Sequence, residues 1–287
     1  MEQNDLVGFQ NFLEQEKQLG KRTIAVYIFY YGHFNPLQLS QEYVHDFVVK
    51  HKNTPSVRGF VTNYLLFHGI TTIKLPEKSK GGNKKKKLIR PVTLDEINRM
   101  REFFYKQSFK KGLILDLIYQ GALRRFEVAT INIGSFRWND WFADISKFCK
   151  LVVLGKGNKE RIVLINPETA EAIVNHYMKA KDFSTMIEIT SFFESNADVP
   201  LIRKSDGELL SERNIYYIIK DGSKKVIGRD VRPHELRHAR ATELQGRGVS
   251  VSDIKNYLGH TRISTTETYL HRTGEESLDK IEETLSQ

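Results

Sequence analysis

The chain has 287 residues, 40% of them hydrophobic, enough to bury one large core or two medium ones. A single cysteine, Cys149, excludes an internal disulfide and fits a reducing compartment. The formal charge of +9 points to a polyanionic partner. No apolar run approaches the roughly 18 residues of a membrane span. The start, Met1-Glu2-Gln3-Asn4-Asp5, lacks the basic and apolar segments of a signal peptide. The expectation is a cytoplasmic, nucleoid-associated protein with no membrane partner.

In chain order, residues 6–20 place Leu6, Phe9, Phe12 and Leu13 at helical spacing. Thr23 to Phe34 is an aromatic-rich helix, with Tyr27, Tyr30 and Phe34 expected in a core, as is Trp138 further on. Ser40 caps a helix running to about Lys50, and Pro55 or Ser56 starts another that ends near Gly69. These elements define a helical domain over residues 1–73.

Residues 74–91 break the pattern. Seven lysines and one arginine stand against one acid, Glu77, in a stretch with two glycines and no apolar period. The segment reads as a basic linker. Lys84, Lys85, Lys86, Lys87 and Arg90 are candidate phosphate contacts, and the alternative is a merely solvated linker.

The second domain covers residues 92–287. Thr93 and Glu96 form a capping box for a helix over Leu94–Gln107, and Lys111–Gln120 is the next helix. Lys150–Leu154 and Arg161–Ile165 are strand-like runs flanking Gly155-Lys156-Gly157-Asn158-Lys159, which predicts a β-hairpin. Trp138–Phe142 is a candidate third strand. The pattern returns to helix after Pro167. The tail Glu275–Gln287 is an amphipathic helix carrying Leu278, Ile281 and Leu285.

Two blocks concentrate reactive residue types. In Pro233-His234-Glu235-Leu236-Arg237-His238, the spacing puts His234 and Arg237 on one helical face, with proline suited to the first turn. In the second block, Leu258-Gly259-His260 ends a helix that begins near Val251, and Tyr269 follows on the next. Tyrosine is a poor nucleophile unless its target is activated. Fixed guanidinium and imidazole donors could activate a phosphodiester.

These blocks, together with Gly121-Ala122-Leu123-Arg124-Arg125-Phe126-Glu127 and the Gly155-Lys156 hairpin, resemble the tyrosine recombinase family of phage integrases and Xer proteins. The motifs follow the family's order over about residues 92–272, and residues 6–34 resemble its helical core-binding domain more loosely. The resemblance implies a mainly α fold with a small antiparallel β-sheet. It further implies a two-domain DNA clamp, in which a SAM-like helical core-binding domain joins the catalytic domain.

It also implies site roles. Tyr269 is the nucleophile and forms a 3′-phosphotyrosyl link. Arg124 and Arg237 hold the non-bridging oxygens, Lys156 is the general acid, His234 assists proton transfer, His260 hydrogen-bonds the phosphate, and Glu127 supports the first arginine. Arg125 and Lys159 are the rivals of Arg124 and Lys156. The implied partners are double-stranded DNA at a specific attachment or recombination site and further copies of the chain, as dimer and tetramer, with the tail docked on a neighbour or, as the alternative, packed on its own chain. No metal, cofactor or ATP is implied, because the protein–DNA link conserves the bond energy. The expected role is integration and excision of a viral or mobile element, with an Xer-like dimer resolvase as the alternative.

Other classes compete. His234-Glu235-Leu236-Arg237-His238 also satisfies the zinc-hydrolase pattern H-E-x-x-H, but that reading leaves Arg124, the hairpin lysine and Tyr269 without roles. A type IB topoisomerase would share the chemistry, and a non-catalytic DNA-binding protein would share the charge.

Overall fold

The computed structural model describes residues 3–77, 90–155, 160–204, 206–259 and 274–286. Two compact units divide at Ile89 and Arg90.

The first unit is helical: α1 (Gln3–Asn11), α2 (Lys21–Tyr31), α3 (Gln41–Lys50) and α4 (Pro55–Phe67). The helix expected over 6–20 is interrupted: α1 gives way to a π-helical turn at Phe12–Glu16, and Gln18 takes a positive φ of 49°. Ser40 caps α3 by accepting from the Tyr43 N–H at 3.1 Å, and Thr54 caps α4. Aromatic rings fill the core, with Phe9 and Phe60 edge to face at 6.1 Å and Phe34 against Tyr64 at 4.8 Å. Tyr27 and Phe34 are buried as expected, and Tyr30 is half-buried against them. Residues 70–77 are tied down where Arg58 Nη1 donates to the Pro76 carbonyl at 2.6 Å.

The second unit begins with α5 (Leu94–Gln107) and α6 (Phe109–Gln120). The capping box at α5 has both its bonds: the Glu96 N–H to Thr93 Oγ1 and the Thr93 N–H to Glu96 Oε2. Helix α6 is buried all round from Gly112 to Gln120 and forms the axis of the unit. Its one buried carboxylate, Asp116, takes Arg101 Nε at 3.0 Å and the Tyr105 hydroxyl at 2.7 Å. After α6 come α7 (Arg125–Thr130) and α8 (Trp138–Ala143).

Helix α8 replaces the expected third strand. Trp138, Trp141 and Phe142 recur at the helical interval and turn their rings into one cluster with Phe193, which strand alternation would have split between two faces. Strands β1 (Cys149–Leu154) and β2 (Glu160–Ile165) then pair antiparallel, from Cys149 opposite Ile165 to Leu154 opposite Glu160.

Helices α9 (Pro167–Lys181), α10 (Met186–Ser195), α11 (Glu212–Ile227), α12 (Pro233–Gly246), α13 (Val251–Leu258) and α14 (Gly274–Ser286) complete the unit. Helix α11 packs on α5 at Gly222, where a Cβ would fall 1.9 Å from Phe104 Cε1, so only glycine admits this approach.

Helix α14 lies against α13 and β2 of its own chain. Ile281 and Leu278 are buried there, and Ser277 donates to Asp253 at 2.7 Å. Of the two seats open to the tail, a neighbouring copy or its own chain, this structure shows the second, with the apolar face covered in cis.

Candidate active site

The site is built on the α6–α7 junction, strand β2, the first turn of α12 and the end of α13. Ala122, between α6 and α7, adopts a left-handed φ of 47°, a strained conformation for a residue with a Cβ. Its carbonyl accepts a hydrogen bond from Arg237 Nη1. Two residues on, Arg124 is the N-cap residue of α7, and Glu127 sits one turn into that helix.

Glu127 is fully buried, and its carboxylate serves two arginines. Oε2 accepts the Arg124 backbone N–H at 2.7 Å and Arg161 Nη2 at 2.9 Å. Oε1 accepts Arg124 Nη1 at 2.8 Å and Arg161 Nη1 at 2.8 Å. Burial alone would push this carboxyl up, but the hydrogen bonds and charge of Arg161, then Arg124, outweigh it and hold it below the usual carboxylate range.

The C-terminal end of α13 supplies the other anchors. Gly259 ends the helix with a φ of 65°. Its carbonyl accepts Arg124 Nη2 at 3.0 Å, while the preceding carbonyl, of Leu258, accepts Arg237 Nη2. Arg161 Nε takes the Tyr257 carbonyl at 3.0 Å. Three consecutive carbonyls thus fix three guanidinium groups. Tyr257 is itself pinned, because its hydroxyl donates to the Gln120 carbonyl at 2.8 Å and accepts the Leu164 N–H.

Arg237 is 3% exposed. Burial, followed by repulsion from Arg124 and Arg161, pushes its guanidinium down to about 9. Pro233 opens α12, as its sequence position predicts. His234 and His238 share a face, their Nε2 atoms 2.9 Å apart, so at least one of the two nitrogens is unprotonated. Further along α12, Arg240 and the Tyr119 hydroxyl both donate to Glu243 at 2.7 Å, which locks the helix to α6.

The structure separates the two adjacent arginines. Arg124 turns to Glu127 and Gly259, whereas Arg125 places its guanidinium 5.6 Å from the centre of the Tyr216 ring. Arg90 is 68% exposed at its side chain and pairs with Glu96 at 3.3 Å. Glu235, the would-be zinc base, lies 3.9 Å from Arg229, and among the described residues no cluster of His, Cys, Asp or Glu could hold a metal ion. Lys156, His260, Tyr269, Lys84, Lys85, Lys86 and Lys87 lie outside the described residues, as does Lys159.

Sequence reasoning missed Arg161 and Tyr257. The signal for Arg161 was present: it shares a strand face with Val163 and Ile165, which are buried, so a charge there needs a buried partner.

The model of the phage integrase family matches residues 90–276. The chain belongs to the phage integrase family of tyrosine recombinases.

As a family member it is a site-specific recombinase enzyme. Among curated relatives, tyrosine recombinase XerA of Pyrococcus horikoshii is 28% identical over 286 residues, spanning 96% of this chain and 92% of that one. A tyrosine recombinase XerC of Staphylococcus aureus is 27% identical over 281 residues, 94% of this chain and 84% of that one. The fold is shared with XerH recombinase in a pre-cleavage complex with difH substrate, at a TM-score of 0.60 and 15% identity over 89% of this chain and 76% of that one. It is shared also with lambda integrase residues 75–356 bound to DNA, at a TM-score of 0.55 and 15% identity over 92% of each. Among the described residues of this recombinase, no helix is long and apolar enough to cross a membrane.

Proposed function

We propose that this recombinase cleaves and rejoins double-stranded DNA at a specific site through a 3′-phosphotyrosyl intermediate on Tyr269. The observation that carries the reading is the pair of guanidiniums fixed on consecutive carbonyls, Arg237 on Leu258 and Arg124 on Gly259, next in sequence to His260. In this mechanism the Tyr269 oxygen attacks the scissile phosphorus, with His234 assisting removal of its proton. The bond to the 5′-oxygen breaks, and Lys156 protonates that leaving oxygen.

Arg124, Arg237 and His260 neutralise the charge that builds on the non-bridging oxygens. One well-placed donor is worth about 3–4 kcal/mol in comparable sites. The phosphotyrosyl bond stores the energy of the broken linkage, so rejoining requires no ATP.

The partner is duplex DNA, approached by the helical domain of residues 1–73 and the catalytic domain of 92–287. The basic linker residues Lys84–Lys87, with Arg90, contact phosphates. Copies assemble as dimers and tetramers on paired sites in a nucleoid-associated, cytoplasmic setting. Two biological roles fit this chemistry: integration and excision of a viral or mobile element, and resolution of chromosome or plasmid dimers. The second is favoured by the XerA and XerC names of relatives that align along nearly the whole chain.

A nicked suicide duplex tests both chemistry and role. One version carries the junction of a candidate mobile element, and the other a chromosomal dimer-resolution site. A covalent protein–DNA adduct on either, lost in Tyr269→Phe, is the expected result, and the duplex that traps it selects the role. Binding without any adduct would refute the catalytic reading.

A further inference from the structure

We infer that Arg161 is a positioning residue, which claims the two-point face of Glu127 and thereby holds Arg124 bridged between Glu127 and Gly259, the orientation in which its remaining N–H donors meet the scissile phosphate. The inference rests on the phosphate-binding role of Arg124 proposed above.

A carboxylate offers one face on which a guanidinium can dock with two parallel hydrogen bonds. In this structure Arg161 occupies it, with Nη1 on Oε1 and Nη2 on Oε2 at 2.8 and 2.9 Å. Arg124 is reduced to one side-chain bond with Glu127, from Nη1, and its Nη2 is turned to the Gly259 carbonyl. Without Arg161, the same buried carboxylate would draw Arg124 into a two-point pair. Its Nη2 would then leave the Gly259 carbonyl, and the guanidinium plane that meets the phosphate would turn away.

Three features fit Arg161 for this task. Its third donor, Nε, is fixed on the Tyr257 carbonyl, so the guanidinium plane cannot rotate away. Its side chain is only 10% exposed, which makes the ion pair strong and poorly screened. Its stem packs beside Gly259, where a Cβ would come within 3.1 Å of Arg161 Cδ. Arg161 also joins β2 near the end that leads into the hairpin turn, and so the turn's base shares an anchor with the arginine cradle. A lysine at this position supplies charge but not the planar fork.

The test uses the full chain and two readouts. The first is binding of inorganic phosphate, followed by the rise in Tm it produces, which needs no knowledge of the DNA site. The second is the rate of adduct formation on the suicide duplex that traps the unsubstituted chain.

Arg161→Lys is expected to weaken phosphate binding at least fivefold and slow adduct formation roughly 10- to 100-fold, the scale set by small misplacements of reacting groups. On a duplex with a neutral methylphosphonate at the scissile position, the slowing should shrink to within about threefold, because an uncharged linkage depends less on Arg124. In the Glu127→Gln background, Arg161→Lys should add less than twofold, since no carboxylate remains to be claimed.

Arg161→Lys with wild-type phosphate binding, or an effect fully additive with Glu127→Gln, would overturn the inference. Should Arg161→Lys not fold, Glu127→Asp is read instead. It keeps the charge but shortens the reach to Arg161. The same losses are expected, and a rate within twofold of wild type would overturn the inference. If the unsubstituted chain forms no adduct, the catalytic reading fails, while the phosphate arm still decides whether Arg161 governs Arg124.

Discussion

Arg124 and Glu127 are joined twice, once through the backbone and once through the side chain. The carboxylate accepts the Arg124 N–H at 2.7 Å and its Nη1 at 2.8 Å. Glu127 therefore begins helix α7 and orients the arginine that precedes it with the same two oxygens.

That double use predicts separable effects of two substitutions. Glu127→Ala strands two arginines around a buried vacancy, and removing one partner of a buried pair costs about 3–5 kcal/mol. The residue 90–287 unit should lose on the order of 6–20 °C in Tm, read by circular dichroism. Glu127→Gln keeps the shape and one acceptor oxygen, so it should lose less stability but slow adduct formation by roughly 10-fold or more. Equal adduct rates in Glu127→Gln and wild type would mean that the charge does not govern Arg124.

Features set by a few neighbouring residues were legible in the sequence. The Thr93–Glu96 capping box, the Ser40 cap, Pro233 at the start of α12, and Gly259 after α13 all lie within one helical turn of what they control. The hairpin was legible because its two runs pair across a short turn.

What escaped notice depends on distant pairings. Arg161 meets Glu127 across 34 positions, and the Tyr257 hydroxyl meets Gln120 across 137. Neither partner is marked by local pattern. The Trp138–Phe142 segment was misread because aromatic richness favours strands, whereas the spacing of its rings obeys a helix. For α14 the sequence left two seats open, on a neighbour or on its own chain, because the groove between α13 and β2 exists only after folding.

A second ion cluster ties the start of the second unit to the loop before α12. Glu96 accepts Arg229 Nη2 at 2.9 Å and lies 3.3 Å from Arg90. Its hydrogen bond with Arg229 is the main cause that pulls its carboxyl down to about 2, against burial that raises it. A depressed carboxyl stabilises the fold above its unfolded value, near 4.5, and loses that contribution as pH falls towards 2. Wild-type Tm should therefore drop between pH 4.5 and 2, and Glu96→Gln should flatten that limb by roughly 2 kcal/mol after solvent screening. Parallel acid limbs in the two proteins would remove Glu96 from the account.

Arg237 presents the opposite sign. Burial and the neighbouring cations push its guanidinium from its ordinary strongly basic value down to about 9. A base whose folded value is depressed costs stability while it stays charged. That cost is fully present below about pH 9 and is relieved as pH rises from there towards the ordinary guanidinium range.

An anion seated against Arg124 and Arg237 would relieve the same repulsion without removing the proton. Sulfate at ten times its Kd should stabilise the residue 90–287 unit by about 1.4 kcal/mol, a rise of roughly 3–6 °C in Tm at pH 7.5. The gain should shrink above pH 9, where Arg237 begins to lose its charge. Arg237→Met should abolish the gain, because it removes the guanidinium that the anion would meet. A sulfate-induced rise that persists in Arg237→Met would place the anion elsewhere and separate Arg237 from phosphate binding.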